Sequence, residues 1–298
     1  MSLLFYTVAN GKYKSFIPIY IYFALEKNPD SHVEIGISDV SKYKINNKEI
    51  IEILREKFGH RFTLSDVDLD TFSARAARFT TEPVRASDFK YVYIGDIDVL
   101  ILESKILDQH LNNMKRNDAP FSNIIRPGES TQGEYYRLSG LHFAPTSLQY
   151  PLPTDSEFEN IDSANIRGAD EHILYRLMNK KGKMISTDMN FRPVHGIHVR
   201  VGAHPFSTPG WTGVQNDAYQ ESFIKIMSQK SFGKMHDELD IFGKNMLNIT
   251  ENICRGRFKK HKKEANMYIN DNYVNYWKVK KKLARTPLGV VYRYLIKS

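Results

Sequence analysis

The segment Tyr91-Val92-Tyr93-Ile94-Gly95-Asp96-Ile97-Asp98-Val99-Leu100-Ile101-Leu102 constrains this chain more than any other. Its apolar residues demand the interior, while Asp96 and Asp98 resist it. Burying two like charges in apolar surroundings costs several kcal/mol unless something compensates them. A divalent cation is the usual compensator. Oxygen ligands favour Mn2+ or Mg2+, and such ions typically bridge to substrate phosphates. The bland alternative is a strand that ends in solvated, turn-forming aspartates.

Strand and helix signals alternate around this run. Leu3–Ala9 reads as a buried strand closed by Asn10-Gly11. Ser15–Lys27 is apolar almost all round with Pro18 near its start, which suits a buried helix. Val33, Ile35 and Ile37 alternate through a second strand, His32–Ser38. Ile50, Ile51, Leu54 and Phe58 predict a helix over Asn47–Phe58. A short strand at Arg61–Leu64 and a helix at Thr71–Phe79, with Asp70 as N-cap, come next. Beyond Leu102 the pattern predicts a helix over Ser104–Lys115, strands near Phe121–Ile125 and Leu138–Ala144, and a helix over Ala169–Asn179. Pro145–Ile166 reads as a loop. His195–Gly213 holds four glycines, two prolines and three histidines with little periodicity. A long irregular segment is more often functional than idle. The alternation predicts an α/β domain whose mixed, mostly parallel sheet is flanked by helices.

Charge divides the chain. Net charge is +8, yet residues 255–298 carry 13 Lys/Arg against 2 Asp/Glu, and the rest carry 29 against 32. A surface built for nucleic acid would be basic in the body itself, so no nucleic-acid partner is expected. The expected division is a catalytic body over residues 1–215, a helical segment packed on it over 216–254, and a basic aromatic helical tail over 255–298. Tyr273, Tyr276 and Trp277 stand beside Lys278 and Lys280 in that tail, and a short apolar end follows. Basic residues beside interfacial aromatics suit an anionic membrane surface. The single cysteine, Cys254, excludes a disulfide scaffold. No run reaches the roughly 18 apolar residues of a membrane span, and Leu3–Val8 is too short for a signal peptide. The expectation is a cytoplasmic protein, peripheral on the inner face of the membrane.

With the carboxylate pair at the end of its strand, the chain resembles the GT-A glycosyltransferases, most closely their family 8 type from lipopolysaccharide and capsule assembly. The resemblance runs in order through most of residues 3–213. It implies a Rossmann-like GT-A domain that moves a sugar from a UDP-sugar onto a saccharide or lipid-linked acceptor, with retention of configuration. It implies that Asp96 and Asp98 hold Mn2+ or Mg2+ against the donor diphosphate, and that Asp96 and Ile97 also face the nucleotide. Val8-Ala9-Asn10-Gly11-Lys12-Tyr13 is similar to the family's first strand and loop, so Thr7, Val8, Ala9, Asn10 and Tyr13 are implied on the nucleobase. Ala77-Arg78-Phe79 is similar to the helix with the donor-site arginine. Ser139-Gly140-Leu141 resembles the segment near the transferred sugar. Asp170-Glu171-His172-Ile173-Leu174 resembles the helix start beside the reacting centre, which makes Asp170 and Glu171 the catalytic candidates. A late-loop histidine completes the metal shell in the family, and His195-Gly196-Ile197-His198 is the matching place. Glu171 stands where the family usually has Gln, and Ala203-His204-Pro205-Phe206 replaces the usual Lys-Pro-Trp.

The residues read on their own agree. A tyrosine such as Tyr13, just beyond the first strand, can stack on a base. Arg75 and Arg78 share a helix face, and a guanidinium suits phosphate or an ordinary ion pair. Asp170 and Glu171 open a helix, where carboxylates also serve the helix dipole. Imidazole is the commonest nitrogen ligand for metals, so His195 and His198 both stand as third ligand. Trp211 either stacks on an acceptor sugar or anchors its loop. Two other classes compete. A HAD-type phosphatase also uses an Asp-x-Asp pair as nucleophile and acid, but its pair opens the fold, and no later Asp-Asp motif follows here. Nucleic-acid binding through the tail leaves the carboxylate pair unexplained.

Overall fold

Strand β1 (Leu3–Val8) is buried along its whole length because neither of its faces meets solvent. Leu3 and Phe5 enter one apolar cluster and Leu4 and Tyr6 the other, as the two-residue period of a strand requires. The computed structural model describes residues 2–69, 74–130, 133–152, 168–199 and 212–256. After β1 come a 3-10 turn at Gly11–Phe16, α1 (Ile17–Lys27), β2 (His32–Ile37), α2 (Val40–Asn46), α3 (Lys48–Phe58), β3 (Phe62–Asp66) and α4 (Ala74–Thr80). Then follow β4 (Tyr91–Ile94), β5 (Val99–Ile101), α5 (Ile106–Arg116), β6 (Ile125–Ser130), β7 (Gly133–Leu138), β8 (His142–Pro145), α6 (Thr146–Gln149) and α7 (Ala169–Lys180). The last described elements are β9 (Gly196–His198), α8 (Asp217–Met227), α9 (Lys230–Glu238) and α10 (Ile241–Cys254).

The central sheet has the order β3-β2-β1-β4-β8. β1, β2, β3 and β4 are parallel, and β8 pairs with β4 antiparallel. The fold is therefore the expected α/β architecture with a mostly parallel sheet flanked by helices. A parallel sheet needs cover on both faces. On one side α1 buries nine of its residues, and Pro18 sits in its first turn, where no backbone donor is lost. On the other side α4 offers Ala74, Ala76 and Ala77, small enough for a helix to lie close to β1. Glu34, fully buried in β2, accepts hydrogen bonds from the backbone nitrogens of Val84 and Arg85 at 2.7 and 2.9 Å. That satisfies its carboxylate and ties the loop before β4 to the sheet.

The expected strand over Tyr91–Leu102 is two strands. β4 belongs to the central sheet, whereas β5 pairs antiparallel with β9 in a separate ribbon. The turn between them carries both aspartates and is closed by Val99 N donating to Asp96 O at 3.2 Å. The expected strand over Leu138–Ala144 likewise divides into β7 and β8 around Ser139-Gly140-Leu141. The strand placed near Phe121–Ile125 begins later, as β6 of a β6–β7 hairpin, and Ser122 keeps only a bridge to Phe143. α2 was not foreseen. It has only two buried residues, Val40 and Tyr43, and rests on an Asp39 cap whose carboxylate accepts from Lys42 N at 2.9 Å.

Helices α8 to α10 follow the second ribbon. Phe223 stacks on Phe23 of α1, Phe232 meets Tyr22 and Phe23 edge-on, and the Tyr22 hydroxyl donates to Gln229 Oε1 at 2.7 Å. Ser15 Oγ donates to Asp240 Oδ2 at 2.5 Å, which joins the first loop to the cap of α10. Asp70, Thr71, His204, Trp211 and all of the tail beyond Gly256 lie outside the described residues. Among the described residues no helix is long and apolar enough to cross a membrane.

The β5–β9 ribbon depends on a glycine. Gly196 has φ +159°, and a Cβ there would lie 1.8 Å from Leu100 O. A backbone oxygen cannot yield as a flexible side chain can. Gly196→Ala should therefore separate β9 from β5 and lower the melting temperature by roughly 5 °C or more, since 1 kcal/mol shifts a chain of this size by about 2–4 °C. Gly182 also has positive φ, +66°, but a Cβ there meets nothing within 4 Å. Gly182→Ala should cost much less. Equal losses in the two variants would contradict the proposed crowding at Gly196.

Candidate active site

The carboxyl ends of β1, β2 and β4 share one edge of the sheet, the edge where ligands bind in open α/β folds. Asp96 and Asp98 stand there because Gly95 ends β4. Its nitrogen donates to Tyr6 O at 3.3 Å and its carbonyl accepts from Thr7 Oγ1 at 2.9 Å. Antiparallel pairing of Val99 with His198 brings the imidazole beside the turn. His198 Nε2 lies 3.2 Å from Asp98 Oδ1, and Val199 N donates to Asp98 O at 2.8 Å. One ligand atom each from Asp96, Asp98 and His198 lies within 4.8 Å of the other two. An octahedral ion with ligands at about 2.1 Å keeps them roughly 3–4 Å apart, so the three can share one ion with little adjustment. Two carboxylates with one imidazole suit Mn2+ well and Mg2+ less well.

His195 is elsewhere. It is fully buried, its Nε2 lies 2.8 Å from His110 Nε2, and its carbonyl accepts from Leu102 N and Glu103 N at 2.9 and 3.1 Å. Burial pushes its pKa down to about 4, against a smaller opposing pull from Glu103, so the ring is neutral near pH 7. Of the two candidate histidines, His195 supports the ribbon and His198 faces the aspartates. The reason is the strand register, which two histidines three apart in a glycine-rich loop do not reveal.

Arg78 is the centre of the site. Only 5% exposed, it donates through Nη1 to Asp96 Oδ1 in a short contact and through Nη2 to Asp170 Oδ2 at 3.0 Å. Its burial opposes its charge, and Asp96 and Asp170 more than restore it. Burial likewise opposes ionisation of Asp96, but Arg78, His198 and Arg192 outweigh that and hold its carboxyl below the usual range. The guanidinium also crosses position 140, where a Cβ would lie 2.8 Å from Nη2. Gly140 is needed there for space, not for backbone freedom.

Glu171 is the more heavily engaged of the two catalytic candidates. It accepts from Arg126 in a short contact, from Arg137 Nη1 at 2.9 Å and from Gly140 N at 3.0 Å. Ser139 is fully buried, with its nitrogen and oxygen both bonded to the Asn123 side chain and its hydroxyl accepting from Arg192 Nε. Of the implied nucleotide residues, Thr7 and Val8 are buried in β1, Ala9 is buried just beyond it, and Ile97 is buried in the turn after β4. Asn10 is exposed and Tyr13 half-buried. The Tyr13 hydroxyl lies near Arg75, Asp98 and Asp96; burial first, and then the two carboxylates, push its pKa up against Arg75.

Sequence reasoning missed Arg126, Arg137 and Arg192. Arg126 and Arg137 are directly opposite each other in the β6–β7 hairpin. Like charges so placed repel, and Glu171 inserted between them is the compensation. The usable signal was Gly133 ahead of the strand-forming pair Tyr135-Tyr136, with an arginine on each side.

No family model matches the chain, and no curated protein matches it in sequence. Solved structures with some likeness include S. aureus TarS residues 1–349, 12% identical over 95% of this chain and 78% of that one, TM-score 0.38. The galactosyltransferase LgtC, in complex with donor and acceptor sugar analogues, is 16% identical over 49% of this chain and 58% of its own, TM-score 0.33. A cytidylyltransferase from Leptospira borgpetersenii is 13% identical over 82% and 94%, TM-score 0.31. Likeness this remote assigns no chemistry, which rests on the side chains described above.

Removing Arg78 leaves two carboxylates unpaired in a largely buried place. Breaking such a pair costs about 3–5 kcal/mol. Arg78→Met should therefore lower the melting temperature by roughly 6–20 °C. Adding Asp170→Asn should recover part of the loss, because it removes one of the stranded charges. An unchanged melting temperature for Arg78→Met, or a further fall with Asp170→Asn, would contradict the bridging role.

Proposed function

We propose that the chain is a metal-dependent GT-A glycosyltransferase that moves a sugar from a UDP-sugar to a saccharide or lipid-linked acceptor. The observation that carries this reading is the gathering of Asp96, Asp98 and His198 at the carboxyl edge of the parallel sheet, beside the loop that follows β1. A divalent ion held there would neutralise the donor diphosphate and make it a better leaving group. Asp96 and Asp98 supply the charge of this site and His198 its nitrogen. Arg78 keeps Asp96 ionised and fixes its orientation. Asn10 and Tyr13 take the nucleobase, with the backbone of residues 7–10 as its rim.

Asp170 is the carboxylate we assign to the sugar. It gives Arg78 one oxygen, and its place at the start of α7 next to Gly140 suits a group that steadies positive charge developing on the donor sugar. Glu171, taken by two arginines and Gly140 N, is a positioning residue that shapes the segment Ser139-Gly140. The family 8 resemblance extends the reading to retention of configuration and to bacterial surface polysaccharide synthesis. The basic tail extends it to an acceptor held at an anionic membrane.

The test is a thermal-shift panel of UDP-sugars with Mn2+, since a ligand that binds only the folded state raises its melting temperature. A UDP-sugar should stabilise the protein with Mn2+ present, and EDTA or Asp98→Asn should abolish the effect. His198→Ala should raise the Mn2+ concentration needed by roughly 10–100-fold, the scale for disturbing a metal site. His195→Ala should lower the melting temperature without moving the Mn2+ requirement. Stabilisation by UDP-sugars that persists in EDTA, or the reverse ranking of the histidines, would overturn the metal assignment.

A further inference from the structure

Three guanidinium groups meet beside Ser139-Gly140. Arg126 and Arg137 converge on Glu171, whose Oε1 also takes Gly140 N. Arg192 donates its Nε to the buried Ser139 hydroxyl. The three are close enough to feel one another: burial, and then Arg192 and Arg137, make the charged form of Arg126 harder to keep, against the help of Glu171. Among the described residues Arg126 and Arg137 share the single carboxylate of Glu171, and Arg192, within electrostatic reach of Asp96, is in ion-pair contact with none. Arg192 is exposed and makes no other hydrogen bond or ion pair among the described residues. Its orientation is nevertheless set, because its Nε is tied to a buried hydroxyl. Its two terminal nitrogens are left as an open fork, the arrangement that binds carboxylate or phosphate in a bidentate manner.

The donor diphosphate would meet the divalent ion held by Asp96, Asp98 and His198, with Arg75 and Arg78 on that side of the site. Arg126, Arg137 and Arg192 stand around Ser139-Gly140 and the first turn of α7, with Arg192 also within electrostatic reach of Asp96; this is where the transferred sugar is proposed to lie.

Resting on that glycosyltransferase reading, we propose that Arg192, backed by Arg126 and Arg137, is a subsite for an oxyanion, a carboxylate or phosphate, carried by the sugar being moved or by its acceptor. The enzyme then acts on acidic rather than neutral saccharides. Arg192 is the specificity-determining residue, and Glu171 holds the other two guanidinium groups in place.

The experiment is titration calorimetry on the full chain with Mn2+, comparing wild type, Arg192→Gln and Arg192→Lys. The donor arm compares UDP-glucuronate, UDP-glucose and UDP. The acceptor arm titrates glucose 6-phosphate, glucuronate or glucose into the UDP complex. One arm should show at least a tenfold preference for the acidic compound in wild type. That preference should fall to about one in Arg192→Gln and be reduced in Arg192→Lys, which keeps the charge but loses the fork. The arm that responds identifies the source of the oxyanion. Absence of an acidic preference in both arms overturns the proposal. So does an equal loss of affinity for UDP alone in Arg192→Gln, which would assign Arg192 to the diphosphate. If Arg192→Gln does not fold, Arg192→Lys decides, and an undiminished preference overturns the proposal. If wild type binds no uridine nucleotide, the glycosyltransferase reading fails by itself. The subsite is then judged with glucose 6-phosphate alone: binding lost in Arg192→Gln supports it, and no binding overturns it.

Discussion

The site depends on one buried cation. Arg78 leaves α4, crosses above Gly140 and reaches Asp96 behind β4 and Asp170 at the start of α7. Three elements distant in sequence are thereby fixed to each other. A lysine cannot do this, because a single ammonium lacks the planar fork that addresses two carboxylates at once. The approach is possible only because α4 presents alanines to the sheet and position 140 has no side chain. The same ion pairs keep Asp96 charged in a place where burial alone would favour its neutral form. Packing, backbone choice and electrostatics therefore converge on a single residue.

The second support is the β5–β9 ribbon. Its register sets His198 next to Asp98, and a glycine at position 196 permits the two backbones to meet. Beneath the ribbon lies a neutral polar layer. His110 contacts His195 Nε2, the Ser122 hydroxyl at 2.8 Å and the face of Phe143, and burial pushes its pKa well down, as it does that of His195. Uncharged imidazoles beneath the site give rigidity without adding charge next to the aspartates. The two histidines of one short segment so have opposite duties, one as scaffold and one as ligand candidate.

Much of this was legible in the sequence where a strong local pattern met a strong physical cost. The apolar run of Leu3–Ala9, the Ser15–Lys27 helix that is apolar almost all round, and the amphipathic Asn47–Phe58 helix all stand close to where the sequence pattern puts them. Asp96 and Asp98 announced themselves because charge inside an apolar run needs a reason. What escaped was set by pairing between distant segments. The break at Gly95 looks like a tolerated glycine until β9 claims β5 for another ribbon. Arg126, Arg137 and Arg192 are unremarkable singly, and only hairpin register and the approach of α7 collect them around Glu171 and Ser139. The choice between His195 and His198 was likewise a question of register. α2 escaped for a simpler reason: two buried residues in seven give almost no periodic signal.

The functional account rests on geometry: two carboxylates and an imidazole at the binding edge of a parallel sheet, a guanidinium that keeps Asp96 charged, and a loop tyrosine within electrostatic range. The central claim is that Asp96, Asp98 and His198 share one divalent ion. Diffraction from crystals grown with Mn2+ and UDP tests it directly, because anomalous scattering locates manganese independently of any interpretation of the protein. The account predicts one strong anomalous peak bonded to one oxygen of each aspartate and to a ring nitrogen of His198, with the diphosphate completing the shell. A peak elsewhere, or diphosphate bound among these residues with no ion beside it, would contradict the account.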